Sequence, residues 1–169
     1  MKNIDKYLFQ ALDNYPYSLV ETVESLDYAL SFDSRNTTAL ILYGRIQMEQ
    51  LHDYEESKRY FQEVLAIDIN SITVYPHYLD VLLLNEDYQE ATKLIDFALT
   101  VKGIDKVAIM IRKTLLFEKQ SDFKKALKVL KEIKLLTTSN CNNHDVEQME
   151  ERLKSKIKLI KPKHKPKNG

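Results

Sequence analysis

The chain has 169 residues, of which 44% are hydrophobic and 30% charged, values typical of one folded domain. Only three glycines and four prolines occur, which disfavours sheets, barrels and phosphate-binding loops because these need many turn residues. The single cysteine excludes an internal disulfide and a cysteine-cluster metal site. The net charge is zero, but residues 1–100 hold 7 Lys+Arg against 17 Asp+Glu (−10), and residues 101–169 hold 18 against 8 (+10).

The first 36 residues predict an irregular helical hairpin. Apolar residues follow helical spacing at Ile4, Tyr7, Leu8, Ala11 and Leu12. The turn-forming stretch 15–18 interrupts this pattern, which resumes from Leu19 to Leu30. We therefore expect a degenerate N-terminal hairpin over residues 1–36.

Three similar blocks follow at spacings of 34 and 35 residues. They read Asp53-Tyr54-Glu55-Glu56-Ser57, Asp87-Tyr88-Gln89-Glu90-Ala91 and Asp122-Phe123-Lys124-Lys125-Ala126. A large apolar residue follows the small one four positions later, at Phe61, Ile95 and Leu130. Asp53 and Asp87 can accept hydrogen bonds from the first helical turn, and the glutamate three residues later can complete a capping box. Each block therefore predicts a helix start.

A second helical pattern precedes each block. Its members are Leu40, Tyr43, Gly44 and Gln47, then Tyr75, Tyr78, Leu79 and Leu82, then Met110, Thr114 and Phe117. Neither helix of such a pair can bury its apolar stripe alone, so the hairpins must stack, and Leu65 and Leu99 are expected to be buried between them. Proline inside a helix costs about 3 kcal/mol, so the helix at Pro76 is predicted to begin near Tyr75. The predicted units are residues 37–70, 71–104 and 105–138.

The C-terminal segment predicts a cap. A polar stretch, 137–143, precedes an apolar stripe over residues 143–160, made of Val146, Met149, Leu153, Ile157 and Ile160. One such helix can cover the open end of a stack. Residues 161–169 alternate lysine with polar residues and proline, and we expect a disordered basic tail. This tail could contact phosphates or acidic protein, or only keep the chain soluble.

These features together resemble the tetratricopeptide repeat. The resemblance rests on the period, on Gly44, on the block at 87–91 and on the Ala-Leu pair at 98–99. The stretches 31–33 and 66–68 resemble the segment that closes each repeat. The chain departs from the family at Leu40 and Met110, where an aromatic residue is usual, at Leu79 and Thr114, where a small one is usual, and in lacking a terminal proline. The resemblance implies an all-α, right-handed superhelical array of hairpins, an α-solenoid, with a C-terminal capping helix.

The resemblance also implies a concave groove lined by the first helix of each hairpin. It places there Thr38, Ile41, Arg45, Met48, Thr73, His77, Asp80, Ala108, Ile111, Arg112 and Leu115. The two arginines could hold the carboxylates of an acidic or C-terminal peptide. The clamp of chaperone-binding relatives is absent, since Ile41, Arg45 and His77 replace its lysine and asparagines. The alternative for each residue is an ordinary solvated helix surface.

No catalytic pattern stands out. No two histidines are four residues apart, and Cys141 with His144 lacks further ligands, so we expect no metal and no cofactor. Nucleophile-elbow and phosphate-loop motifs are missing, so no enzymatic activity is predicted. The longest uncharged apolar stretch, 81–84, is far below the roughly 20 residues of a membrane span, and no secretory signal is visible. A cytoplasmic location without membrane contact is expected.

We therefore predict a non-catalytic interaction adaptor that holds a protein partner, as a peptide or helix, in the groove. Two alternatives stay open. The basic C-terminal half could associate with nucleic acid, which we consider unlikely as the main role. The oppositely charged ends could also join copies of the chain into a homo-oligomer or scaffold.

Overall fold

The computed structural model describes residues 3–136 and 143–160, and this part of the chain is helical throughout its regular elements. The helices are α1 (Asn3–Asn14), α2 (Leu19–Phe32), α3 (Thr37–Ile46), α4 (Tyr54–Ile67), α5 (Val74–Leu84), α6 (Tyr88–Ala98), α7 (Lys106–Lys119), α8 (Phe123–Leu136) and α9 (Asn143–Ile160). Four hairpins, α1–α2 to α7–α8, contact one another in chain order, and α9 packs on α8. The predicted basic tail and most of the polar stretch before α9 lie outside the described residues.

All three helices begin where the blocks predict, at Tyr54, Tyr88 and Phe123, but one predicted cap does not form. Asp53 accepts a hydrogen bond from the Glu56 amide at 3.0 Å, and Asp122 accepts one from the Lys125 amide at 3.2 Å. Asp87 does not cap α6, contrary to our expectation. Its carboxylate instead binds the Lys58 ammonium and the Asn85 amide, each at 2.7 Å. The Asp87 carboxylate therefore joins the start of α6 to Lys58 of the preceding hairpin and does not cap its own helix. The predicted late start of α5 is confirmed, since the helix begins at Val74, close to Tyr75.

The core runs along the array as three apolar clusters. The N-terminal cluster joins α1, α2 and α3, the central one spans α3 to α7, and the C-terminal one joins α7, α8 and α9. Leu65 and Leu99, expected to be buried, are only partly buried, whereas the preceding Val64 and Ala98 are fully buried. Ser57 and Phe61 of the repeated block are buried as well, so the buried face of α4 is the predicted one and Leu65 lies at its edge.

The cap helix covers the C-terminal end of the array. Val146, Met149 and Leu153 are buried against the C-terminal cluster. Ile157 is half-buried, and Ile160 at the end of the predicted stripe is exposed. The buried contacts of α9 therefore lie within its first three turns.

The first helix of the second hairpin contains one extra residue. Ten positions separate Gly44 from Tyr54, whereas nine separate Leu79 from Tyr88. The structure accommodates the additional residue in a π-helical segment, Gln47–Leu51, which continues α3. Met48 is the buried residue of this segment.

Candidate functional site

The residues predicted to line the groove lie mainly on α3, α5 and α7, the first helices of three successive hairpins. Thr38 and Thr73 are exposed near the beginnings of α3 and α5. The others on these helices are half-buried: Ile41, Arg45, His77, Asp80, Ala108, Ile111, Arg112 and Leu115. Met48 does not fit the prediction, because it lies in the π-helical segment, only 6% exposed, within the central cluster. Met48 is therefore a core residue.

Arg112 of α7 holds α5 through several hydrogen bonds. Its Nε and Nη2 atoms donate to the two carboxylate oxygens of Asp80 at 3.0 and 2.7 Å. It also donates to the Pro76 and Ala108 carbonyls, each at 3.1 Å. Such a bidentate pair fixes the two helices relative to each other.

Arg45 of α3 is engaged in a second network. Its Nε donates to Glu49 at 3.0 Å, and its guanidinium lies 5.0 Å from the centre of the Tyr15 ring. The Tyr15 hydroxyl donates to the same carboxylate. Burial opposes ionisation of Glu49, but the hydrogen bonds from Arg45 and Tyr15 outweigh it and lower the pKa of this carboxyl group. Both groove arginines thus already have carboxylate partners within the chain.

His77 of α5 lies between these two networks. Its ring stacks on Phe61, with the ring centres 6.3 Å apart. Burial lowers the pKa of His77, and the positive charge of Arg45 lowers it further. Both effects favour the neutral imidazole over the charged one.

A half-open cavity of about 440 Å³ lies where α5, α7 and α9 meet. It is lined by Asp80, Leu83, Leu84, Leu115, Glu118, Lys119 and Lys156. Leu84 is 46% exposed and forms an accessible part of the apolar lining. The cavity is within the size range of about 300–1,000 Å³ that is usual for ligand sites.

Only Asp80 and Leu115 of this lining were predicted as site residues. Leu83 and Leu84 lie 35 residues before Glu118 and Lys119, so the two pairs occupy equivalent positions in successive repeats. The period could therefore have indicated that these residues line one surface. Lys156 had no such signal, since its position depends on how α9 docks.

Glu118 anchors the cap helix at the edge of the cavity. Its carboxylate accepts hydrogen bonds from Arg152 Nε and Nη2 at 2.9 and 2.7 Å and from Lys156 at 2.8 Å. The hydrogen bonds from Arg152, and then from Lys156, hold the pKa of Glu118 below its usual value. One carboxylate therefore faces two cations.

Metal binding and membrane insertion are two further functions that side-chain clusters and helix composition can indicate. Residues 3–136 and 143–160 contain no cluster of three or more His, Cys, Asp or Glu side chains arranged to hold a metal ion. Within the same ranges, no helix combines the length and apolarity required to cross a membrane.

Solved structures show where this fold occurs. A structure of the O-GlcNAc transferase of Thermobaculum terrenum matches with a TM-score of 0.68 and 14% sequence identity, covering 77% of this chain but 25% of that one. The MamA protein matches with a TM-score of 0.68 and 10% identity, covering 92% of this chain and 88% of that one. No protein-family model and no curated protein matches the sequence. The chain has a tetratricopeptide-like fold, an all-α solenoid, as the sequence predicts.

Proposed function

We propose that this protein is a non-catalytic interaction adaptor that binds a peptide or helix of another protein along α3, α5 and α7. The proposal rests on one observation, the half-open, leucine-lined cavity where α5, α7 and α9 meet. In a solenoid the first helices of the hairpins form the concave surface, where extended partners bind. Transferase activity is not carried over, because the chain spans only a quarter of that enzyme's structure.

Apolar contact, rather than the two arginines, is the main attraction in this proposal. Arg45 and Arg112 are paired with Glu49 and Asp80, so a partner's carboxylate would have to displace an intramolecular one. Burying one large apolar side chain contributes about 1.5–3 kcal/mol. Leu84 and Leu115 offer that burial without breaking an ion pair.

A selection from a random peptide library tests the proposal. Peptides of about 12 residues that bind the full-length chain are isolated, and the affinity of the strongest is measured by fluorescence anisotropy. We expect Leu84→Lys to weaken binding about tenfold or more, because the apolar contact is replaced by a charge. Ile69→Lys is the matched control, since Ile69 is 47% exposed and lines a different cavity beside α6.

Two results would count against this function. The first is a selection that yields no binding peptide. The second is a set of peptides whose affinity responds equally to the Leu84 and Ile69 variants. Binding of nucleic acid or of a second copy at the same surface, with no peptide competing, would favour the alternatives instead.

A further inference from the structure

Charge is unevenly distributed along the proposed binding surface. Near α3, Arg45 and Glu49 form an ion pair, so their charges balance. Near the leucine-lined cavity, the lining carboxylates are Asp80 and Glu118. The net charge around this cavity therefore depends on the cations that surround these two carboxylates.

Four cations surround the two carboxylates of the cavity. Arg112 pairs with Asp80 at 2.7 Å, while Arg152 and Lys156 both pair with Glu118, at 2.7 and 2.8 Å. Lys119 lines the cavity as well and is exposed, and no ion pair joins it to any residue that the structure describes. The four charged lining residues and the two arginines paired with them together carry an excess of two positive charges.

A second cavity of the same volume provides an internal comparison. It lies against α4, α5 and α6, and Leu65, Leu94 and Phe97 contribute its apolar lining. Its charged lining residues are Glu90 and Lys93, one of each sign. The two cavities are therefore alike in size and apolar content, and the lining of each holds equal numbers of acidic and basic residues. They differ in their ion-pair partners: Arg112 and Arg152 pair with the lining carboxylates beside α9, whereas no ion pair joins Glu90 or Lys93 to another described residue.

We propose that the cavity formed by α5, α7 and α9 binds an acidic peptide segment that carries one large apolar side chain, such as Leu, Met or Phe. The apolar side chain lies on Leu84 and Leu115. Adjacent Asp or Glu residues face Lys119, which has no ion-pair partner among the described residues, and Lys156, which shares the Glu118 carboxylate with Arg152. This inference rests on the proposed function and adds the chemistry of the partner. It also makes the cap helix part of the binding site, since α9 supplies Lys156.

Charge complementarity at this site should act on both affinity and its salt dependence. Exposed charges attract through solvent and are screened over about 10 Å at 0.1 M salt. Reversing one such charge replaces attraction by repulsion, so an effect of about threefold or more on affinity is expected. The apolar contact with Leu84 is far less sensitive to salt.

The test uses the peptides selected on the full-length chain. We expect the enriched sequences to be acidic overall, with Asp or Glu close to a Leu, Met or Phe. Lys119→Glu should weaken the strongest peptide about threefold or more, and Lys119→Gln should weaken it less. Raising NaCl from about 50 to about 300 mM should reduce the affinity and shrink the difference between the Lys119 variants.

Lys93→Glu is the matched control, because Lys93 is an exposed lysine lining the second cavity. The Lys93→Glu variant should bind the strongest peptide with the same affinity as the unmodified chain. Neutral or basic peptides that still depend on Leu84 would overturn this inference and leave the proposed function standing. Acidic peptides that ignore Lys119→Glu, or respond equally to Lys93→Glu, would also overturn it. A selection without any Leu84-dependent peptide would overturn the proposed function itself.

Discussion

Gly44 shows how a single residue sets the distance between two helices of a hairpin. A Cβ atom at this position would lie 2.4 Å from Phe61 Cε1, far inside contact distance. The Ser57 hydroxyl donates to the Gly44 carbonyl at 2.7 Å, which a bulkier residue would disturb. In the next hairpin the corresponding residues are Leu79 and Ile95, so a larger residue on the first helix accompanies a smaller one on the second. The departures from the family pattern therefore change the local packing without opening the core.

Gly44→Ala should destabilise the fold by up to about 2 kcal/mol. The added methyl group overpacks the contact with Phe61, which costs about 1–3 kcal/mol, and the roughly 1 kcal/mol that alanine gains over glycine in a helix interior offsets part of this cost. The measurement is the free energy of unfolding in urea. Combining Gly44→Ala with Phe61→Leu makes room for the methyl group, so the double variant should lose less than the sum of the single losses. Strict additivity would show that the two residues do not clash.

At the scale of elements, the turns inside three hairpins share one backbone feature. His52, Glu86 and Ser121 have φ angles of 54°, 62° and 61°, and each directly precedes the aspartate at the start of the next helix. This left-handed conformation is unfavourable for residues with a Cβ atom and favours glycine. The spacing of 34 and 35 residues between these positions follows the sequence period, so the turn repeats as regularly as the helices do.

Glu86→Gly should therefore stabilise the protein by up to about 1 kcal/mol. The left-handed conformation costs a residue with Cβ about 1–2 kcal/mol, and the entropy of glycine in the unfolded chain offsets part of this gain. Thermal or urea unfolding measures the change. Glu86→Ala is the control, because alanine retains Cβ and should give no comparable gain. Equal stability of the two variants would contradict this explanation.

For the whole molecule, the cap helix completes both the core and the proposed site. Leu153 is fully buried in the C-terminal cluster, and Glu118 joins Arg152 and Lys156 on the other side of the contact. An array of hairpins would otherwise expose the apolar face of its last unit, since each unit contacts only its neighbours. The same docking brings Lys156 to the leucine-lined cavity.

Leu153→Asp should destabilise the protein by about 3 kcal/mol or more, because it removes a buried apolar side chain and buries a charge without a partner. Leu159→Asp is the matched control in the same helix, as Leu159 is 86% exposed, and its effect should stay within about 0.5 kcal/mol. Chemical denaturation compares the two variants. Similar losses for both would mean that α9 does not pack on the array through its Leu153 face.

We could predict the helical hairpins, most of the helix starts and the tetratricopeptide-like fold from the sequence alone. These features depend on interactions between residues three or four positions apart, such as the cap at Asp53, and on an apolar period that is repeated along the chain. The late start of α5 followed from the chemistry of Pro76 alone. Local signals of this kind are complete within a few residues, so they can be interpreted without knowing the tertiary structure.

The contacts that build the candidate site are visible in the tertiary structure and could not be predicted from the sequence. The partner of Arg112 lies 32 residues away, and Lys156 reaches Glu118 across 38 residues. Met48 is buried in the central cluster, as is Leu83 at the equivalent position of the next hairpin. These outcomes depend on the rotation and distance of helices packed against one another. Side chains from different hairpins can pair or form a cavity only after that packing is set, and no short stretch of sequence contains it.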